Sequence, residues 1–174
     1  MNTAETPWIA MALNNAWANS TLYSAIQALP ESEFTKPRPG FFPSLSETMN
    51  HIRKVDLVYL DALENGGLGR SIFELEQVTN AAELAQLQMQ LDMRFATYCN
   101  GIKDETLASS ATVERKSGPT VENVASILLH LVQHQIHHRG QAHVQLQHAG
   151  VKPPQLDEFY LDLDRAPSAA AYWG

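Results

Sequence analysis

The chain has little of several features that would mark other classes of protein. It has one cysteine, Cys99, so no disulfide can form within it, and a reducing, cytoplasmic compartment is expected. Its 12 basic residues are scattered among 19 acidic ones, which argues against a nucleic-acid partner. No apolar run approaches the roughly 18 residues of a membrane span. The N-terminal residues also lack the basic and apolar regions of a signal peptide, so no membrane partner is expected.

The composition that remains is that of an ordinary globular protein. Hydrophobic residues make up 44% of the 174 residues and charged residues 18%, with a net charge of -7. This length can bury a core without disulfides or other staples. We therefore expect a single domain over residues 1–174.

Apolar periodicity and capping residues predict four helices. A capping box, in which a hydroxyl or amide side chain precedes a glutamate by three positions, opens two of them, and glycine closes most of them. The predicted spans are 7–29, 44–64, 81–100 and 121–148. The predicted N-caps are Thr6, Ser44, Asn80 and Thr120, and the predicted terminators are Pro30, the glycines 66–69, Gly101 and Gly150.

The connections between these helices are long. Prolines and a glycine in residues 31–43 predict a loop without regular structure, whose Phe34, Phe41 and Phe42 pack on the bundle. Residues 102–119 suggest a short hairpin or an irregular excursion. Residues 151–174 suggest an extended tail on the surface or against a partner subunit. The fold class is therefore all-α, a four-helix bundle with long interhelical loops and not the simplest up-down-up-down arrangement.

Histidines are concentrated in the fourth predicted helix, where five of the seven fall between His130 and His143. His134 and His138 are four residues apart, about 40° on the helical wheel, so they share a face and can hold one metal ion. His130/His134 and His134/His137 are alternative pairs. His51, on an apolar stripe of the second helix, could close the site.

A non-metal interpretation of these histidines also exists. A single histidine on an apolar stripe is more often a hydrogen-bonded core residue than a ligand, and a histidine-rich run can be a solvated face. Ring nitrogens are costly to bury without partners, however. Several histidines on one inward stripe need a shared explanation, and a bound cation supplies one. We expect His143 and His148 to be solvated.

Four segments of the chain resemble the DinB family of DinB/YfiT-like metalloenzymes. They are Asn15–Asn19, Phe41–His51, Gln133–Gln141 and Pro153–Tyr160. The segments are spread along the sequence, so the resemblance covers about the whole chain. The resemblance implies a metal triad of His51, His134 and His138, a bundle with non-adjacent connections, and a homodimer.

The resemblance also implies a chemistry. Three protein ligands leave a coordination position open, as in catalytic zinc sites. Zinc is the expected metal, with nickel or iron as alternatives. Relatives that this fold resembles act with low-molecular-weight thiols, so the leading hypothesis is a metal-dependent thiol S-transferase with a small-molecule substrate. The alternatives are a metal-dependent hydrolase, with Glu47 as a base unless it only caps its helix, and a non-enzymatic metal-binding dimerisation module.

The sequence suggests further roles near the triad without fixing them. Arg139 could anchor a carboxylate, support a ligand, contact a partner subunit or form a salt bridge. Gly140 could permit close helix approach. Gln141 could hydrogen-bond a ligand imidazole or a bound water, or could simply be a polar core residue. Cys99 is expected to be small and buried and not a nucleophile, and no catalytic residue is identified.

Overall fold

The computed structural model describes residues 6–173, which form a helical bundle with one small hairpin. The helices and strands are α1 (Pro7–Gln27), α2 (Glu31–Thr35), α3 (Leu45–Glu64), α4 (Ala81–Cys99), α5 (Asp104–Ala108), β1 (Ser110–Arg115), β2 (Gly118–Asn123), α6 (Val124–His148) and α7 (Ala170–Trp173). Two 3₁₀ helices lie at Gly69–Glu74 and Pro167–Ala169. None of the helices in this range is long and apolar enough to cross a membrane.

The long helices α1, α3, α4 and α6 are the four that the sequence predicts. The side chains of Thr6, Ser44 and Asn80 each accept a hydrogen bond from the backbone N–H three residues later, so these three predicted N-caps are confirmed. Helix α3 ends at Asn65 in the left-handed conformation, with a φ of 55°, one residue before the predicted glycines. Asparagine tolerates this region better than most residues.

Residues 31–43 are not wholly irregular, so this part of the prediction is wrong. Helix α2 forms directly after Pro30, because the remaining prolines begin only at Pro37. Its Phe34 is buried in the core, as expected. Phe41, in contrast, is 75% exposed.

Of the two alternatives for residues 102–119, the hairpin is present, and it displaces the start of the last long helix. Strands β1 and β2 pair antiparallel from Ser110 with Asn123 to Arg115 with Gly118. Residues 121–123 therefore belong to a strand, and α6 starts three residues later than predicted. Its N-cap is Asn123, whose Oδ1 accepts from the N–H of Ser126, and not Thr120.

The connectivity of the bundle is not the simplest one, as the loop lengths predict. Helices α1 and α3 each pack against both α4 and α6, so α1 and α3 occupy opposite corners. The connection of residues 65–80 returns along α3, where the side-chain amide of Asn50 bonds both the N–H and the carbonyl of Val78. Helices α3 and α4 therefore run parallel.

The C-terminal segment is part of the core and does not only cover its surface. Phe159 is 1% exposed and its ring centroid lies 5.7 Å from that of Trp17. The indole Nε1–H of Trp17 donates to Ser168 Oγ at 3.0 Å, and Ala169 is fully buried. This segment holds α1 against the bundle, while Gly174 lies outside the described residues.

Candidate metal centre

The three predicted ligands converge between α3 and α6. One ring nitrogen of each of His51, His134 and His138 lies within 4.8 Å of the others. The Nε2 atoms of His51 and His134 are 3.0 Å apart. Thr48 donates to Gln145 Oε1 at 2.8 Å and joins the two antiparallel helices, one turn before His51 on α3 and two turns after His138 on α6. The geometry brings the ligands close enough to share one ion.

All three imidazoles are neutral at neutral pH. Burial, and then the nearby His138, lowers the pKa of His51 to about 4. Burial, and then the neighbouring histidines, lowers the pKa of His134 to about 3. Burial also lowers the pKa of His138. A histidine binds metal through an unprotonated nitrogen, so the site needs no proton release from these rings at pH 7.

Gln141 hydrogen-bonds the ring of His138, the contact that one of its suggested roles requires. Its Oε1 lies 2.8 Å from Nδ1 of His138, and its Nε2 lies 3.1 Å from Nε2 of His137. The amide nitrogen donates to His137, so the amide oxygen accepts from Nδ1–H of His138. This tautomer leaves the lone pair of His138 on Nε2, the nitrogen free to bind a cation.

Replacing Gln141 by leucine is expected to weaken metal binding by about 10–100-fold, since the partner that orients a ligand imidazole is lost. Competition with a chromogenic zinc chelator measures the affinity. Gln147→Leu, an exposed position on the same helix, is the matched control and should bind as the wild type does. Equal affinities in the wild type and in Gln141→Leu would show that the hydrogen bond has no role in binding.

An open pocket of about 530 Å³ leads to the three histidines. Its walls include the apolar side chains of Val55, Val58 and Phe73. The ring of Phe42 lies 4.6 Å from that of His51. A small molecule can therefore reach the ring nitrogens from solvent.

The remaining histidines lie outside the triad. His130 and His137 are exposed and line the pocket, and the ring of His130 lies 4.9 Å from that of Tyr59. His148 is exposed, as predicted. His143 is half-buried and its Nε2 donates to the carbonyl of Pro154 at 2.9 Å, so its predicted solvation is wrong.

Arg139 lies in a buried polar network, an arrangement that the sequence did not predict. It is 4% exposed, and its Nη1 donates to Asn15 Oδ1, to Asn19 Oδ1 at 3.1 Å and to Gln135 Oε1 at 3.1 Å. Among the described residues it makes no direct ion pair, which corrects the suggested salt bridge. Its guanidinium joins α6 to α1.

Two carboxyl groups complete this network. Asp92 on α4 accepts from Asn15, Asn19 and Gln88, all within 3.1 Å. Asp56 on α3 accepts from Gln88 at 2.8 Å and from Gln135. The residues cross-link all four long helices. Gln88 and Asp92 lie among the buried apolar residues of α4. Polar residues at such positions in the sequence were the signal for a buried polar contact.

The charges of the network balance with one retained proton. Burial, and then Asp92, raises the pKa of Asp56 well above its usual range, and burial raises that of Asp92 to about 7. Burial lowers the pKa of Arg139 to about 10, so it stays protonated at pH 7. Of the two aspartates, one then remains a protonated carboxylic acid. The negative charge of the other and the positive charge of Arg139 compensate each other.

Asp92→Asn is expected to remove part of the pH dependence of stability. The pKa of Asp92 is raised on folding, so the folded state binds the proton of this carboxyl more tightly than the unfolded state does. The resulting stabilisation is complete below pH 4 and is lost progressively as the pH rises to about 7. The free energy of unfolding of metal-free wild type should therefore fall by a few kcal/mol relative to Asp92→Asn between pH 4 and 8. Denaturant titrations measure it, with exposed Asp164→Asn as control. Parallel pH profiles for wild type and Asp92→Asn would contradict the assignment.

Three other predicted residues can now be placed. A Cβ added at Gly140 would meet nothing within 4 Å among the described residues, so the predicted close helix approach is wrong. Cys99 is buried, as predicted, and burial raises the pKa of its thiol to about 12, which disfavours a reactive thiolate. Glu47 lies in the first turn of α3 and outside the residues that line the pocket.

The fold and the cluster define a helical-bundle protein with three histidines that could bind a divalent metal. The chain belongs to the DinB family, whose family model it matches over residues 1–168. It is 25% identical over 150 residues to Protein DinB of Bacillus subtilis (strain 168), covering 82% of this chain and 86% of that protein.

The fold agrees with this membership. A crystal structure of a DinB-like protein from Bacillus cereus ATCC 10987 superposes with a TM-score of 0.61 and 20% sequence identity. The match covers 80% of this chain and 90% of that one. The predicted DinB-type bundle is confirmed.

Proposed function

We propose that the protein is a metal-dependent thiol S-transferase that acts on a small-molecule electrophile with a low-molecular-weight thiol. The observation that carries the proposal is the convergence of His51, His134 and His138 at the inner end of an open pocket. Three neutral imidazoles suit zinc, which we propose as the metal, with nickel or iron as alternatives.

The residues present fit such an ion. The donor set is nitrogen only, it is uncharged at neutral pH, and Gln141 presents the lone pair of His138. Nδ1 of His134 is buried without a hydrogen-bond partner in the described part of the chain, so this ring interacts through Nε2. A divalent cation held here would supply the Lewis acidity that favours the ionised form of a thiol.

The remaining chemistry follows from the pocket. The thiol proton leaves to solvent, the sulfur forms a bond to an electrophilic carbon, and the leaving group departs with its bonding pair. The apolar walls, which include Val55, Val58 and Phe73, hold the electrophile near the three rings. Thiol transfer therefore requires no protein base.

Hydrolysis is the second candidate, and one carboxylate favours it. A hydrolase needs a general base near the attacking water. Glu47 does not line the pocket, but Glu114 on β1 does. Ester or amide hydrolysis without thiol, lost in Glu114→Gln with the metal retained, would replace the transferase proposal. Metal binding without turnover on either substrate type would support a non-enzymatic role.

The proposal is tested by transfer of a thiol to a generic electrophile. Purified protein is incubated with cysteine and monochlorobimane, and formation of the fluorescent conjugate is followed against the uncatalysed rate. We expect catalysis that a chelator abolishes and that zinc restores. His148→Ala, an exposed position on α6, should behave as the wild type. A rate that is unchanged by chelation in protein shown to have lost its metal would contradict the proposal.

We also propose that the chain forms a homodimer. Leu129, Ile136 and Val144 are each about half exposed on the outer side of α6, and apolar exposure of this kind suits a subunit contact. Multi-angle light scattering should give twice the mass of the 19.3 kDa chain. A mass of one chain at all concentrations would contradict the dimer.

A further inference from the structure

We propose that the pocket above the three histidines takes an organic anion, a small molecule with a carboxylate or phosphate group on an apolar body. This inference rests on the proposed function in one respect, namely that the anion is a substrate of the same site. It adds the chemical class of that substrate, which three imidazoles alone do not define.

The charge of the pocket is opposite to that of the chain. Arg70, Arg115 and Lys116 line it, whereas the chain as a whole has 12 basic and 19 acidic residues. A quarter of all cationic side chains therefore face this one cavity. Within residues 6–173, the lining includes a single carboxylate, that of Glu114. A concave surface with such an excess of positive charge attracts anions.

Two connections of the bundle bring these cations to the pocket. Arg70 lies in the 3₁₀ helix Gly69–Glu74, and Arg115 and Lys116 lie at the end of β1 and in the hairpin turn. The two segments are in close contact, since a Cβ added at Gly69 would lie 2.9 Å from Cγ of Glu114. The cations of the two segments consequently line the same pocket, although the segments are far apart in the sequence.

Arg115 is held in position before any ligand binds. Its Nη1 donates to the hydroxyl of Tyr59 at 3.0 Å, and its Nε donates to Thr120 Oγ1 at 3.4 Å. Glu122 lies 3.6 Å from its Nη2 and is partly exposed, so it compensates the charge only in part. A pre-oriented guanidinium loses less entropy when it binds a planar or tetrahedral anion.

The other two cations have no compensating partner in the described part of the chain. Arg70 and Lys116 are exposed and form no ion pair there. A divalent ion at the histidines would add to the same positive potential, and like charges in one cavity repel unless an anion enters. The apolar walls at Val55, Val58 and Phe73 then contact the body of that anion.

Calorimetric titration with three probes of similar shape tests the proposal: benzoate, phenyl phosphate and neutral benzamide. In protein with the metal removed, we expect benzoate or phenyl phosphate to bind at least about tenfold more tightly than benzamide. This preference should decrease with added salt. It should also decrease about tenfold in the double variant Arg70→Gln/Lys116→Gln, and it should persist in Lys152→Gln, an exposed lysine outside the pocket.

The outcomes separate this inference from the proposed function. Equal affinity for all three probes, no binding of any, or a preference that appears only with zinc and survives Arg70→Gln/Lys116→Gln would overturn the anion site. Whichever anion binds more tightly identifies the head group. Anion preference without thiol transfer would overturn the transferase proposal alone, and transfer without anion preference would overturn this inference alone.

Discussion

His134→Ala is expected to reduce the metal content of the purified protein from about one divalent ion per chain to nearly none. His134 lies close to both other members of the triad: its Nε2 faces that of His51 at 3.0 Å, and its ring centroid lies 4.4 Å from that of His138. Two remaining imidazoles bind zinc far more weakly than three. Plasma emission spectrometry after dialysis measures the content.

A neighbouring histidine provides the control for this experiment. His130 is one turn earlier on α6 and lines the same pocket, but it is not among the three residues whose nitrogens converge. His130→Ala should therefore retain its metal. Equal metal content in the wild type, His134→Ala and His130→Ala would contradict the triad, and loss in His130→Ala alone would move the site one turn along the helix.

Arg139→Gln is expected to destabilise the protein by about 3–5 kcal/mol, the largest effect on folding that we predict. The substitution removes the cation that compensates a buried carboxylate of the Asp56–Asp92 pair, and an uncompensated buried charge is costly. A chain of this size should then lose roughly 10 °C or more in Tm. Thermal and denaturant unfolding at pH 7 measure both quantities.

Two further variants show whether charge is the cause. Arg139→Gln/Asp92→Asn removes one negative group together with the positive one, so it should be more stable than Arg139→Gln alone. Arg94→Gln breaks an exposed ion pair with Glu64 and should cost no more than about 1 kcal/mol. If Arg139→Gln costs as little as Arg94→Gln, the network has no structural role.

Much of the architecture could be predicted because its signals are local. Ser44 and Asn80 each precede a glutamate by three positions, which marks the start of a helix. The apolar periodicity then continues to the predicted end of each helix. Helix α2 and the start of α6 were missed for the opposite reason. Phe34 is helical because the bundle buries it, and residues 121–123 are extended because β1 pairs with them.

The triad was accessible to sequence reasoning, but its surroundings were not. His134 and His138 share a helix, so their spacing indicates a common face. His51 was only a candidate from its apolar stripe until the family resemblance implied it as the third ligand, because its position relative to α6 depends on the packing of the bundle. Arg70 and Arg115 are 45 positions apart and line the same pocket because the connection after α3 packs on the hairpin. No local pattern encodes such an arrangement. The polar residues of α4 signal a buried polar group, but the sequence does not show that they share one network with Arg139.

X-ray absorption spectroscopy of the zinc-loaded protein tests the central claim most directly, since it reports the atoms bound to the metal. The account predicts three histidine nitrogens at about 2.0–2.1 Å with further light-atom ligands from solvent, and one imidazole fewer in His51→Ala. A spectrum with fewer than three imidazoles in the wild type, or one identical in His51→Ala, would show that α3 and α6 do not share a metal ion.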